Sequence, residues 1–159
     1  MEKLRHLQGM RDLPQESWLR LKDAQERLRE FFSSHGYRLL ETPVLEPTEL
    51  FLRKAGGEMA SQMYSFTDAG SNAVSLRPEF TSPIMRHYLE HASEIDLPSR
   101  WHYAGPVFRY EEEGDGRGQF TQVGAELIGS SSVLADVELL TLAASVPLCL
   151  GISGWKLEL

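Results

Sequence analysis

The chain has 159 residues, 42% hydrophobic and 25% charged, which is enough for one real core and the balance of an ordinary water-soluble domain. Its net charge of −7 argues against a broad basic surface that wraps nucleic acid, but leaves room for a local basic pocket that takes a phosphate. No apolar run approaches the ~20 residues of a membrane span, and the opening MEKLRHLQGMRDLP has no apolar signal core. Neither a membrane partner nor secretion is expected, and a cytoplasmic location is the default.

In chain order, Pro14 to His35 reads as a helix. Trp18, Leu21, Leu28, Phe31 and Phe32 recur at helical spacing, Pro14 suits a first turn and Gly36 suits a stop. YRLLETPVLEP reads as extended chain, because Pro43 and Pro47 oppose a helix there. ELFLRKAGG predicts a short helix ending at Gly56, and MYSFTD and AVSLR predict two strands joined by a turn at AGSN. Pro83 to His91 reads as a second long helix. WHYAGPVFRYE and GQFTQVGAELIG read as the two strands of a hairpin. Ser132 can cap a third long helix through VLADVELLTLAASV, whose tail Pro147 should kink or end. GWKLEL reads as a last strand. A strand needs neighbours, so ending on one suggests a piece of something longer. Strands joined mostly by hairpins, with helices outside them, predict an α+β fold: a mainly antiparallel sheet flanked by helices. The single cysteine, Cys149, sits in apolar PLCLGI and reads as a small buried hydrophobe. Trp18, Trp101 and Trp155 read as core or interface residues.

The hairpin carries an unusual face. Side chains alternate along a strand, so Phe120, Gln122, Gly124 and Glu126 share one side and Thr121, Val123, Ala125 and Leu127 the other. The second row is what a core wants. The first offers a ring, an amide, a gap and a carboxylate. On the partner strand Arg109 and Glu111 lie opposite Phe108 and Tyr110, so two polar rows can lie side by side on an open sheet. Arg109 can grip a phosphate through its planar fork, Phe120 can stack on a flat ring, and Gly124 leaves room for a ligand. The glycine-rich loop EEEGDGRG carries Arg117 near its end. The plainer alternative is a solvated face on which Arg and Glu pair across strands. Upstream, SLRPEFT puts Arg77 and Glu79 just before a helix. Its plain reading is a helix start, with Pro78 near the first turn and Glu79 favourable to the helix dipole.

Together these stretches resemble the histidyl-tRNA synthetase family, a class II aminoacyl-tRNA synthetase core. Four segments carry the likeness in order: GMRDLP at residues 9–14; GYRLLETPVLEPTELFLRKAGGE, like the first class motif, with Pro43 as its proline; LRPEFT; and GPVFRYEEEGDGRGQFTQVGAELIG, like the second class motif. The resemblance implies that residues 1–159 form the N-terminal part of a class II catalytic domain, a partial core that lacks the third motif and the anticodon-binding domain. It implies a histidine–tRNA ligase that binds ATP and histidine to form histidyl-adenylate in the complete protein. In that role Arg109, the catalytic residue, would hold the α-phosphate of ATP. Glu111 would contact the adenine amino group, Arg117 would reach the γ-phosphate and Phe120 would stack on adenine. Glu79, Thr81, Gln122 and Glu126 would line the histidine pocket. ATP would arrive with Mg2+, with no separate protein metal site. A homodimer is implied through the first motif, and tRNA only through regions that this chain lacks.

Three departures accompany the likeness. The loop Gly116-Arg117-Gly118-Gln119-Phe120 is one residue short of the family's Gly-Arg-x-Arg-Gln-Phe. Phe80 stands where bacterial synthetases usually have glycine, which would alter the pocket rim. The third motif is missing. The first two lean toward a paralogue, the regulatory subunit of ATP phosphoribosyltransferase in histidine biosynthesis, whose partner is the catalytic transferase subunit. Glu79, AGGE, SQMYSF and LGISGWKLEL lean toward a synthetase. HYLEH, from His87 to His91, also matches the His-x-x-Glu-His of inverted zinc proteases, but a third ligand is not evident in the sequence.

Overall fold

The structure, a computed structural model, describes residues 3–53, 60–110 and 117–158. Glu111 and the AGGE segment therefore lie outside the described residues. The long elements follow their sequence signals. Helix α1, Gln15–Ser34, begins directly after Pro14. It stops at Gly36, whose φ of 81° is a left-handed conformation that suits glycine. The Gly36 N–H donates to the Ser33 carbonyl and the Tyr37 N–H to the Phe32 carbonyl, which satisfies two of the last orphan acceptors of the helix. Strands β1 (Arg38–Leu39) and β2 (Leu45–Pro47) flank the extended stretch around Pro43. Helix α2 is Thr48–Leu52, followed by strands β3 (Ser65–Thr67) and β4 (Ala73–Leu76) and by helix α3 (Thr81–Glu90). The long strands β5 (Ser99–Phe108) and β6 (Gln119–Ile128) lead to helix α4, Val133–Cys149.

The strands form two three-stranded sheets, ordered β1-β5-β6 and β2-β4-β3, so the α+β expectation holds with helices against small sheets. In the second sheet β4 pairs antiparallel with both neighbours, at Glu46↔Ser75 and Phe66↔Val74. In the first, β1 pairs parallel with β5 at Arg38↔Trp101, a pairing that a hairpin pattern does not foretell. The terminal GWKLEL is not a strand: residues 155–158 pair with no described strand. Glycines at 151 and 154, both with φ above 70°, turn the chain just before it. Helix α4 runs two residues past Pro147, where the Gly151 N–H to Leu148 and Ile152 N–H to Pro147 carbonyl bonds close it.

Contacts divide the chain into two compact units. The first comprises Met1–Leu13, Glu41–Ala92 and Gly105–Gln122; the second comprises Pro14–Leu40, Ser93–Ala104 and Val123–Leu159. In the first, α2 packs on α3 and on β4, with Phe51, Val74, Phe80, Ile84 and Val107 buried. Two buried polar groups are completed internally. The Ser75 hydroxyl lies 2.8 Å from that of Thr48 and 2.7 Å from that of Ser65, and the buried Glu46 carboxylate takes the Arg86 Nη2 at 2.8 Å. Such pairing is what burial of polar groups demands.

In the second unit, Leu28 and Phe32 of α1 join Tyr37 and Leu142, and Val123, Ala125, Leu139 and Cys149 pack against them. The apolar row expected of β6 therefore does face a core at Val123 and Ala125. Above it, Arg100 grips Glu138 with two bonds, Nε at 2.7 Å and Nη2 at 2.8 Å, while the Tyr37 hydroxyl donates to Glu138 at 2.7 Å. These bonds hold the Glu138 carboxyl down at about 2. Trp101 is buried, whereas Trp18 and Trp155 are exposed. Cys149 is free and half-buried.

His102, fully buried in this unit, stacks on Phe32 with ring centroids 5.7 Å apart. Its Nε2 lies 3.3 Å from the Ser33 hydroxyl and its Nδ1 has no partner among the described residues. Burial, and next the charge of Arg29, lower its pKa, so the folded protein keeps it neutral. The unfolded chain takes up that proton near pH ~6.5 and so binds more protons than the folded one below that value. Stability is therefore full above the unfolded pKa and falls as the pH drops through it. Urea titrations at pH 7.5 and 5.5 should show a lower midpoint at the acid value, with the difference reduced in His102→Phe. An equal pH dependence in the two proteins would contradict this role for His102.

Candidate functional site

The strongest polar constellation lies in the first unit, where the segment Arg77-Pro78-Glu79-Phe80 meets the end of β5 and the start of β6. Arg77 links two stretches of backbone through its own peptide: its N–H donates to the Val44 carbonyl at 2.9 Å, and its carbonyl accepts the Phe108 N–H at 3.0 Å. Its side chain has no solvent exposure. Nε donates to the Pro106 carbonyl at 2.9 Å, and Nη1 donates to the Thr42 carbonyl and lies 3.4 Å from Glu41 Oε1. The guanidinium carbon stands 3.9 Å from the Phe80 ring centroid, a close cation–π contact. Burial lowers the Arg77 pKa and Glu41 works against that shift. Its Nη2 has no partner among the described residues and fills the space beside Gly105, where an added Cβ would stand 2.6 Å away.

Arg109 builds on this base. Its N–H donates to the Gly118 carbonyl at 3.0 Å, and its Nε donates to the Pro78 carbonyl at 3.0 Å. The guanidinium carbon lies 5.1 Å from the centroid of Phe120. The fold thus brings a braced guanidinium and an aromatic ring onto one face at the loop end of the hairpin. Phe120 is half-buried, so one surface of this pair remains approachable. A cation beside a ring at the mouth of a glycine-bearing hairpin suits a ligand with a planar base and an anionic tail.

The other residues singled out in the sequence fall as follows. Glu79 is half-buried and caps α3: its two oxygens accept the Ser82 N–H at 3.0 and 3.1 Å. This is the helix-start role read from Pro78 and Glu79, and it holds the carboxylate at the positive end of the helix. Thr81 is the first residue of α3. Gln122 Oε1 is buried and has no partner among the described residues, an orphaned acceptor of the kind that a ligand N–H or an ordered water completes. Arg117 is exposed. Glu111 lies outside the described residues. Glu126 belongs to the second unit and is half-buried there.

Three expectations about this face change. The row that carries Arg109 is not an open sheet, because Trp101, Tyr103 and Val107 of the same row are buried. Gly124 does not leave space for a ligand: a Cβ there would stand 2.3 Å from the Tyr103 hydroxyl and 2.5 Å from its ring carbon, so the Tyr103 ring occupies the gap. Phe80 is not a rim residue. It is fully buried against the Arg77 guanidinium. Gly105 was passed over in the sequence, and Arg77 was read there only as part of a helix start, not as a buried guanidinium. Gly105, the one residue without a side chain in bulky WHYAGPVF, was the available signal for a close approach.

His87 and His91 do stand on one helical face, with ring centroids 4.4 Å apart. His91 Nδ1, however, lies 2.9 Å from the His87 carbonyl. No group of three or more His, Cys, Asp or Glu able to hold a metal ion occurs among the described residues. No helix among them is long and apolar enough to cross a membrane.

Comparison with known proteins identifies what the chain is similar to. The sequence model described as histidyl-tRNA synthetase matches residues 9–159. A histidine–tRNA ligase of Synechococcus sp. strain CC9902 is 39% identical over 163 residues, covering 100% of this chain and 38% of the ligase. One from Thermococcus kodakarensis is 37% identical over 160 residues, covering 100% of this chain and 37% of that protein. The chain therefore spans less than two-fifths of these relatives' length. Among solved structures, a Bacillus halodurans protein described as an ATP phosphoribosyltransferase regulatory subunit/histidyl-tRNA synthetase superposes with a TM-score of 0.87 at 29% identity, over 98% of this chain and 41% of that one. Apo histidyl-tRNA synthetase of S. aureus gives 0.78 at 30% identity, over 92% and 39%.

The close approach at Gly105 yields a direct test. In Gly105→Ala the new methyl meets Arg77 Nη2 at 2.6 Å and the Phe80 ring at 3.0 Å, both of them buried. The arginine is pinned by two carbonyls and cannot retreat freely, so the substitution should cost ~1–3 kcal/mol of unfolding free energy. Chemical denaturation measures it, and a midpoint equal to that of the unaltered protein would contradict the packing described.

Proposed function

The chain belongs to the histidyl-tRNA synthetase family, and on that premise we propose that it is the N-terminal part of a class II catalytic domain that binds ATP and histidine for histidyl-adenylate formation. The observation that carries the proposal is the Arg109–Phe120 pair, 5.1 Å apart and braced on the Pro78 carbonyl. In this reading the adenine stacks on Phe120, and Arg109 lies against the α-phosphate. A carboxylate oxygen of histidine attacks the α-phosphorus, the bond to the β-phosphate breaks, and pyrophosphate leaves. Such a displacement needs little covalent help. It needs the two reactants aligned and the growing negative charge met by fixed donors, which a braced guanidinium supplies.

The remaining roles follow the family likeness. Arg117 serves the γ-phosphate and Glu111 the adenine amino group. Glu79, Thr81, Gln122 and Glu126 serve histidine, for which the orphaned Gln122 acceptor offers a partner to an N–H. Magnesium comes with the nucleotide. A hard cation that keeps most of its water and takes phosphate oxygens has no need of a preformed protein cage. Contact with tRNA belongs to parts of the relatives that this chain does not span.

A second reading is kept because a specific observation favours it. The Bacillus halodurans structure, described with both names, superposes at 0.87. In that reading the protein binds histidine without joining it to ATP, and acts on the catalytic subunit of ATP phosphoribosyltransferase.

Histidine-dependent exchange of pyrophosphate into ATP separates the two readings, measured on the full-length protein beside a transferase activation assay. Exchange is expected. Arg109→Ala should slow it by the ~2–4 kcal/mol typical of a lost charge-stabilising donor. Glu79→Ala should lose it too, but with a second effect: the Ser82 N–H loses its cap, at a cost of ~1 kcal/mol in stability. Absence of exchange together with histidine-sensitive transferase activation would install the regulatory reading instead.

A further inference from the structure

The GMRDLP stretch, singled out in the sequence, has no role in the site as described so far. Lys3 to Gln8 are exposed, yet Gly9 is buried. Gly9 has φ of 76°, a conformation that glycine adopts without steric cost. Its carbonyl accepts the Gly118 N–H at 2.8 Å, and the Gly118 carbonyl in turn accepts the Arg109 N–H at 3.0 Å. The two glycines abut. A Cβ on Gly118 would stand 2.8 Å from the Gly9 oxygen and 3.0 Å from its carbonyl carbon. The N-terminal segment and the base of the hairpin loop thus share one buried contact that leaves no space for a side chain on Gly118.

We propose that Gly9 is a positioning residue for the nucleotide end of the site. Its carbonyl fixes the peptide of Gly118, and Gly118 sets where β6 starts beside Arg109. Phe120 follows two residues later, so the same bond sets how the ring meets the guanidinium. Hairpin register is normally pinned by the turn itself. Here it is pinned from outside the hairpin, by a residue about a hundred positions earlier in the chain. The inference rests on the proposed function for the identity of the ligand.

The test uses the full-length protein with Gly118→Ala, Gly9→Val and Gly9→Asn. Valine opposes positive φ, whereas asparagine tolerates it and keeps the carbonyl in place. Dissociation constants for ATP and for histidine are measured separately by calorimetry, and amide hydrogen exchange is followed at Arg109 and Gly118. Gly118→Ala and Gly9→Val should weaken ATP by ~10-fold, leave histidine within ~2-fold and speed exchange at both amides, while Gly9→Asn restores most of the loss. Losses of ATP and histidine in parallel, tracking a fall in Tm, would reduce Gly9 to a structural role and overturn the inference. So would unchanged ATP affinity in Gly9→Val. Unaltered protein that binds no ATP would overturn the proposed function, and the positioning role with it; unaltered protein that binds both ligands, with variants that match it, would overturn this inference alone.

Discussion

A guanidinium with no access to water must have its charge and its donors answered by the protein. Arg77 is such a group. It bonds to the Pro106 carbonyl on β5 and the Thr42 carbonyl ahead of β2, and stacks on Phe80. Its backbone reaches Val44 and Phe108. One residue therefore joins the end of β5, the approach to β2 and the start of α3. Removing it would orphan a buried and a half-buried carbonyl as well as a stacked ring. Losses of that kind usually cost several kcal/mol, so the architecture of the first unit depends on it.

The two arginines of this region divide the work. Arg77 is buried and puts Nε and Nη1 on carbonyls, while its own N–H and carbonyl hold Val44 and Phe108 just ahead of Pro78. Arg109 is half-buried and uses Nε on the carbonyl of the next residue, Pro78. The fold thereby braces one guanidinium on the residue next to the other. Glu79, between them in sequence, puts both oxygens on the Ser82 N–H. A carboxylate so held is pre-oriented. In the proposed function it serves histidine without first losing rotamer freedom.

The elements were largely legible because their signals are local. Helical spacing, Pro14 and Gly36 marked α1, Ser132 marked the start of α4 through its bond to the Leu134 N–H, and alternation marked β5 and β6. The misses share a cause: each depended on what stands opposite. GWKLEL has strand-like alternation but no partner among the described strands. Gly124 reads as open space until the Tyr103 ring is placed in it. Arg77 reads only as part of a helix start until its two carbonyls are found. Phe80 reads as a rim residue for the same reason. In the candidate site, Arg109 and Phe120 were legible as neighbours across a hairpin. Their bracing by Pro78 and by the Gly9–Gly118 contact was not, since it comes from segments far away in sequence.

The proposed function turns on Arg109 and Phe120 as the pair that takes the nucleotide. The most direct measurement is the structure, or the NMR chemical-shift map, of the full-length protein with a non-hydrolysable histidyl-adenylate analogue. The adenine ring should stack on Phe120, with the phosphate mimic within hydrogen-bond reach of the Arg109 guanidinium and the Pro78 bond to Arg109 Nε retained. An analogue bound tightly with its adenine away from Phe120, its phosphate mimic beyond reach of Arg109 and the shifts of both residues unchanged would contradict it.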